Sequence, residues 1–401
     1  MKAILTLNAG SSSIKFAVFS VENNTLQKIY AGFVDNVLKK PVMHIKSSTQ
    51  GEKISIHLST LSKNSQYVDP YERAIRDILD WLSQHNLEII AAGHRLIHGS
   101  TKYRESVVIT PEIYTFVEKF NPLAPLHQPY NLRGYSIVRE INPDLLQVFC
   151  FDTSFHTTCN ELSQHFALPK HLHEEGVRRY GFHGLSYAYV VSQFDHYLPE
   201  AIRDGKIIIA HLGAGASMCA IHQRKSVATT LSFSALDGLP MGTRCGNIDP
   251  GVLLYLMEAH QMDHQELSQL LYRESGLLGL SGGISADMRD LENSDSPDAQ
   301  LAIDVFAYKI AAWIGMLAAE LQGLDGLIFT AGIGENSALV REKICARAAW
   351  LGAKIDPRKN VSHASVIHAE DSRLSIHVIP TNEELMIAQE TLRLLLETRQ
   401  V

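Results

Sequence analysis

The sequence predicts an α/β protein of two domains of related construction, each presenting a hairpin turn to a central cleft. Three observations carry that prediction. A chain of 401 residues is long for one core and comfortable for two. The opening "TLNAGSSSIKF" (6–16) reads as strand, glycine-serine turn, strand, and "KIIIAHLGAGASMCAIH" (206–222) repeats that grammar about half a chain later, with Ser13 matching Ser217. Finally, "GLIFTAGIGENS" (326–337) runs an apolar strand into a glycine-rich loop, the arrangement that lets backbone approach a nucleotide. Gly-Ser turns are common, so the grammar alone leaves two unrelated hairpins equally open.

The elements follow in chain order. Residues 3–22 form a hairpin around the first turn, and further strand-like pieces occupy 28–58 between polar turns. "YERAIRDILDWLSQ" (71–84) places Ile75, Ile78, Leu79 and Leu82 on one helical face. "EIIAAGHRLIHG" and "LLQVFCFDTSF" read as buried strands that end in polar chemistry. In "LAIDVFAYKIAAWIGMLAAELQ" (301–322) the apolar residues Ile303, Phe306, Ile310, Ile314, Leu317 and Leu321 recur at helical spacing, while Asp304, Lys309 and Glu320 interrupt the run. That is a long core helix rather than a membrane span. In "IPTNEELMIAQETLRLLLET", Thr381 and Glu384 have the spacing of a capping box on a terminal amphipathic helix. The domains are expected at 1–150 with 384–401, and at 151–383.

Bulk composition removes several function classes. Hydrophobic residues are 45% and charged residues 20% of the chain, an ordinary globular balance. A net charge of -7 argues against a general nucleic-acid binder. The five cysteines, Cys150, Cys159, Cys219, Cys245 and Cys345, form no CxxC pair and fit reduced thiols in a cytoplasm. The apolar run after Met1 is too short for a signal peptide.

The turns and loops carry the candidate chemistry. Serine hydroxyls and free turn N–H groups donate to phosphate oxygens, glycine allows close approach, and Lys15 helps to neutralise charge. No GxxxxGK[ST] occurs and "GAGASM" lacks the third glycine of a dinucleotide fingerprint, so neither a P-loop nor a Rossmann site is supported. Arg95 in "GHRLIHG" and Arg244 in "MGTRCGNIDP" stand among apolar and glycine residues, where a guanidinium needs an anion. Two of them suit a clamp on a carboxylate and a transferring phosphoryl group, although either alone reads as a structural ion pair. His94 and His98 lack the HExxH context of a zinc site. His183 in "RRYGFHGLS" and His127 in "PLAPLHQP" could stabilise charge or cap a loop. Asp152 ends the strand "VFCFD", the usual place for a site residue on such a sheet. The capping box leaves Glu383 free to face the cleft, directly or through water on Mg²⁺, with Asn8 able to join it.

With these residues in place, "LNAGSSSIKF", "GHRLIHG", "PLAPLH", "FDTSFH", "RRYGFHGLSY", "AHLGAGAS", "LPMGTRCGNIDPG", "ESGLLGLSGGISADMR", "FTAGIGENS" and "IPTNEE" resemble, in order, the motifs of acetate kinases, from the first strand to the last helix. The resemblance implies two ribonuclease-H-like domains of the sugar-kinase, chaperone and actin superfamily around a nucleotide cleft, and a cytoplasmic homodimer with no nucleic-acid or membrane partner. It implies reversible Mg²⁺-dependent transfer between ATP and acetate, giving acetyl phosphate and ADP, with Mn²⁺ as a substitute ion. By the same resemblance Arg95, Asp152, His183, Arg244 and His127 are catalytic, and Arg95, Ile97, Leu126, Phe182 and Ala235 line the substrate. Asn8 and Glu383 serve the metal, with Ser11 in the same amino-terminal motif. ATP contacts fall on Ser13, Lys15, His211, Leu212, Gly213, Ala214, Gly215, Asp287, Met288, Arg289, Gly332, Ile333, Gly334, Glu335 and Asn336.

Two positions depart from the family pattern. Ala214 stands where asparagine is usual, which removes one side-chain contact to phosphate, and Ala235 stands where a pocket proline is usual. Ile97 narrows the substrate pocket and tilts it towards acetate, Ala235 works the other way by widening it, and a propionate or other short-chain carboxylate kinase remains the alternative. A methylene in such a pocket changes discrimination by only about 1–3 kcal/mol. An ATP-gated sensor without transfer, or a phosphate-ester or polyphosphate hydrolase, are the readings from other classes.

Overall fold

The computed structural model describes residues 1–10, 12–48, 51–58, 69–125 and 127–399. Ser11 and Leu126, both expected at the site, lie outside the described residues. The chain divides into two compact units, Met1–Ser154 with Asn382–Val401, and Phe155–Thr381. Asp152 and Glu383, assigned from sequence to the second domain, therefore stand in the first unit. The reason is local: Asp152 directly continues a strand of the first sheet, and Glu383 opens the helix packed on that sheet.

The first unit holds an eight-stranded sheet: β1 (Lys2–Ala9), β2 (Ile14–Glu22), β3 (Thr25–Asp35), β4 (Val42–Ser47), β5 (Lys53–His57), β6 (Glu88–Leu96), β7 (Val107–Val108) and β8 (Leu146–Phe151). Their order is β5-β4-β3-β2-β1-β6-β8-β7. β1 to β5 form an antiparallel meander, whereas β6 and β8 run parallel to β1. Alternation along β1 sends Ala3, Leu5 and Leu7 into a core with Ile75, Ile78 and Leu82 of helix Pro70–Gln84, and Ile4 into another with Ala388, Leu392 and Leu395 of the last helix. Helix Pro70–Gln84 starts where it does because the Asp69 side chain accepts from the Tyr71 N–H and a proline occupies the first turn.

The second unit holds β9 (Ile207–Leu212), β10 (Ala216–His222), β11 (Lys225–Thr229), β12 (Gly326–Thr330) and β13 (Ser375–Val378), ordered β11-β10-β9-β12-β13. β9, β10 and β11 are antiparallel, and β12 and β13 run parallel to β9. This plan of a three-strand meander followed by two parallel strands is the plan of β3-β2-β1-β6-β8, so the twin hairpins are related elements. Helix Gly184–Ser192 buries Tyr187, Val190 and Val191 with Ile207, Ile209 and Cys219. Helix Pro297–Leu321 is long and apolar enough to cross a membrane by length and composition. It packs on β9, β10 and β11, and all six of its expected core residues are buried.

The expected capping box on the last helix does not form. Asn382 is the cap, its Oδ1 accepting from the Leu385 N–H at 3.1 Å, while the Thr381 hydroxyl pairs with Ser186 at 2.8 Å. Glu384 reaches Lys28 instead, at 3.2 Å. An asparagine next to the threonine satisfies the same orphan donors, and spacing alone could not rank the two.

The last helix approaches β6 closely because Gly93 has no side chain. A Cβ there would lie 2.3 Å from Thr391 Oγ1 and 2.5 Å from an Ile387 methyl. Gly93→Ala is expected to lower the unfolding free energy by about 1–3 kcal/mol through overpacking, read as a reduced urea midpoint. An unchanged midpoint would contradict that packing.

Candidate active site

In the first unit three charged groups converge. Arg95 near the end of β6 makes a bidentate contact with Asp152 after β8, Nε to Oδ1 at 3.1 Å and Nη2 to Oδ2 at 2.6 Å. Its Nη1 lies 4.0 Å from Glu383 Oε2. The parallel strands β6 and β8 place both residues at the same C-terminal end of the sheet, which is why residues 57 positions apart meet. Burial opposes the Arg95 charge, but Asp152 and Glu383 more than compensate and hold its titration above the usual range. Burial pushes the Glu383 carboxyl up; Arg95 opposes this, Asp152 and Glu384 add to it, and Lys15 pulls it back. The cluster therefore carries surplus negative charge.

The first hairpin turn is tied down by distant side chains. Asn131 Nδ2 donates to the Ala9 carbonyl at 2.6 Å, and the Tyr71 hydroxyl donates to the Gly10 carbonyl at 2.8 Å. The backbone closes on itself through Gly10 N–H to the Ser13 carbonyl. Lys15 is exposed on β2, directly across from Asn8 on β1. The segment after β6 is held by Gln128, which accepts from the His98 N–H and donates to the His98 carbonyl, and by Thr153 Oγ1 on the Gly99 N–H. Ile97 is buried there, and His127 precedes helix Gln128–Ile141, its carbonyl accepting from Tyr130 and Asn131. His94 bonds to Gln147 and His98 stacks on Phe120, both in packing roles.

The second unit builds its cluster on the second hairpin turn. A Cβ at Gly215 would lie 3.2 Å from Arg244 Nη2 and 3.4 Å from His183 Nε2, so two donors flank a turn that has no side chain there. His183 caps helix Gly184–Ser192 in the left-handed region, φ 59°. Its Nδ1 is 2.8 Å from Ser217 Oγ, which also meets the Tyr187 hydroxyl. Burial raises the Tyr187 titration far above its ordinary value, so that hydroxyl stays protonated. His211 stacks on His183 with ring centres 4.3 Å apart and bonds Ser186 through Nδ1 at 2.8 Å. Arg244 donates from Nη1 to the Ala235 carbonyl at 2.6 Å.

The glycine-rich loop lies beside the same turn. A Cβ at Gly213 would be 3.7 Å from the Ala331 methyl and 4.0 Å from the Gly332 N atom, and the Gly242 N–H donates to the Ala214 carbonyl. Leu212 is buried at the end of β9. Gly332 faces open space. Two side chains expected on the nucleotide are engaged within the protein: Glu335 Oε1 accepts from the Ala331 and Thr381 N–H groups, and Asn336 donates to the Gly332 carbonyl. The loop thus presents backbone around Gly332 and Ile333 rather than its acid or amide. Asp287 caps helix Met288–Glu292 and binds Arg289, whose guanidinium is otherwise exposed, while Met288 is buried.

Sequence reasoning missed Asn131, Tyr71 and Gln128, whose contacts reach across 30 to 122 residues. It also missed His156, whose Nε2 sits 2.9 Å from the Phe182 carbonyl beside His183. The one signal available was its place in "FDTSFH". Among the described residues no group of three or more His, Cys, Asp or Glu side chains forms a metal site. The carboxylate of Glu383 and the amide of Asn8 are hard oxygen donors in a negatively charged setting, which suits Mg²⁺ held mostly by water and phosphate oxygens.

A family model described as the acetokinase family matches residues 3–389. The acetate kinase of Nitrobacter hamburgensis is 47% identical over 399 residues, covering 99% of this chain and 97% of that one. A propionate kinase from Francisella tularensis superposes with TM-score 0.89 at 35% identity, covering 98% of this chain and 100% of that one. Porphyromonas gingivalis acetate kinase does so with TM-score 0.87 at 36% identity and the same coverage.

The raised Glu383 titration has a stability consequence. A carboxyl whose folded pKa exceeds its unfolded value favours folding at low pH, and that benefit is lost as pH rises from about 4.3 through the folded value. Without ligands, Glu383→Gln is expected to unfold at higher urea than the parent near neutral pH, with the gap closing towards pH 4. A lower midpoint for Glu383→Gln at neutral pH would contradict the raised titration.

Proposed function

The chain belongs to the acetokinase family, and we propose that it is an acetate kinase that passes the γ-phosphoryl group of ATP directly to acetate, giving acetyl phosphate and ADP, and runs in reverse as readily as concentrations dictate. The observation that carries this reading is the convergence of Arg244 Nη2 and His183 Nε2 on the side-chain-free turn at Gly215. An acetate oxygen forms the new P–O bond while the bond to the β,γ-bridging oxygen breaks, and its electron pair leaves with ADP. Acetate is already ionised at neutral pH, so neither a protein nucleophile nor a general base is required. What remains is to orient two anions and stabilise the charge spread over the equatorial oxygens.

Each group then has a task. Arg95, aimed by its bidentate bond to Asp152, holds the carboxylate, and the buried Ile97 two residues on in the same unit serves its methyl. Arg244 and His183 donate to the transferring group. The order Tyr187 O–H to Ser217, Ser217 O–H to His183 Nδ1, leaves the proton on Nε2, where donation is needed. Turn N–H groups with Ser13 and Lys15 in one unit, and with Gly213, Ala214 and Gly215 in the other, serve the phosphates, while Gly332–Asn336 and Asp287–Arg289 shape the nucleoside pocket. Glu383 and Asn8 would hold Mg²⁺ through water, and the ion would supply charge neutralisation on the phosphate chain.

Exposed apolar residues Val252, Leu254, Tyr255 and Met257 on helix Pro250–Ala259, with Leu301, Tyr308 and Met316 on helix Pro297–Leu321, support a homodimer. Five free cysteines suit a reducing cytoplasm.

The deciding assay is acid-dependent ADP release with trapping of acyl phosphate by hydroxylamine, run with acetate, propionate and butyrate. The reading expects kcat/KM highest for acetate; a maximum at propionate would make the chain a propionate kinase like its Francisella relative in name, and phosphate release without an acid would overturn transfer altogether. Arg244→Ala is expected to lower kcat by about 10³-fold or more with the fold intact. Ser217→Ala is expected to lower kcat by about tenfold with the KM for ATP unchanged, since it only loosens the His183 ring. Near-parental kcat in both would remove this cluster from the reaction.

A further inference from the structure

Arg341, on helix Ala338–Arg347, is wholly buried and its chemistry is unusual for a buried cation. Among the described residues no carboxylate pairs with it. Its five N–H donors meet five neutral acceptors: Nε with Asn360 Oδ1 at 2.8 Å, Nη1 with the carbonyls of Gly334 and Glu335 at 2.9 Å each, and Nη2 with the Asn360 carbonyl at 2.8 Å and His363 Nδ1 at 3.0 Å. Burial pulls its titration down, to about 10, so it remains charged at neutral pH.

The two carbonyls bound by Nη1 are late carbonyls of the short helix Ala331–Asn336, groups that lack partners within the helix. A cation at that end also matches the negative pole of the aligned peptide dipoles. The opposite end of the loop is strained. Ala331 has φ 65°, a conformation unfavourable to a residue with a Cβ, and Glu335 Oε1 secures its N–H at 2.8 Å. Glu335 thus fixes where the loop starts, and Arg341 fixes where it ends. Asn360 is itself locked, donating from Nδ2 to the Ala338 carbonyl at 2.9 Å, so the far side of the clamp cannot yield.

We propose that Arg341 is a positioning residue for the nucleotide: its fork holds the Gly334 and Glu335 carbonyls so that the Gly332 backbone keeps its spacing from the phosphate turn at Gly213. This rests on the nucleotide reading of the loop given above. Lysine cannot replace it, because three rotatable donors do not reproduce a planar fork bound on both edges. Arg95 and Ile97, assigned to the acid, belong to the first unit, whereas Arg341 and the loop it holds belong to the second.

The test compares the parent protein with Arg341→Lys and Arg341→Gln, measuring folding by circular dichroism, affinity for a fluorescent ADP analogue, and separate KM values for ATP and acetate. The expected result is a loss of about tenfold or more in nucleotide affinity and a matching rise in the KM for ATP, with the acetate KM within about twofold of the parent. A folded variant with parental nucleotide affinity, or one in which both KM values rise together, overturns the proposal. Should neither variant fold, His363→Ala decides: it removes one acceptor at an exposed position, and parental nucleotide affinity there overturns the proposal, while a rise of about twofold to fivefold in the ATP KM alone supports it. Absence of ADP binding to the parent protein would overturn the nucleotide reading itself, and the clamp's role with it.

Discussion

Arg244 and His183 flank the second hairpin turn at position 215, which carries no side chain, and the chemistry of the second unit depends on how closely those two donors approach it. A Cβ there would press on the Arg244 nitrogen at 3.2 Å and touch His183 Nε2 at 3.4 Å. The surrounding structure is arranged to keep those donors there. Ser217 and Tyr187 fix the imidazole, the Ala235 carbonyl takes one arm of the guanidinium, and the Gly242 N–H holds the Ala214 carbonyl of the turn. Donors fixed in advance do not have to reorganise as charge develops, which is where electrostatic catalysis gains most.

The first unit solves a different problem. Asp152 is buried and would be costly without a partner; Arg95 supplies one in bidentate geometry and is itself oriented by it. Glu383 then adds a second carboxylate near a single guanidinium, its titration raised first by burial and further by Asp152. A site left with surplus negative charge, beside Lys15 and the amide of Asn8, is poised for cationic company. Stability is sacrificed locally for a function the rest of the fold can support, as is common where charges must be held ready.

Much of the fold was legible because its signals are local. Glycine-serine turns between apolar runs marked both hairpins, and helical spacing marked Ile303 to Leu321 as a core helix. The candidate site was legible in its charged residues, each at a strand end or turn. The unread parts act through space: Asn131 on the Ala9 carbonyl, Tyr71 on the Gly10 carbonyl and His156 on the Phe182 carbonyl are packing outcomes with no sequence spacing to announce them. Choices between neighbours were lost for the same reason. Thr381 looked like the cap, yet Asn382 is, and nothing in the spacing announced that the Glu335 carboxylate secures the strained Ala331 backbone.

The most direct measurement of the central claim is the acetate-dependent turnover of Gly215→Ala, with urea unfolding in parallel. A single methyl at that turn should leave the unfolding midpoint at the parental value and lower kcat by about tenfold or more, because it displaces the Arg244 guanidinium by a few tenths of an ångström from where the phosphoryl group needs it and crowds His183. Parental kcat in a folded Gly215→Ala protein would contradict the account.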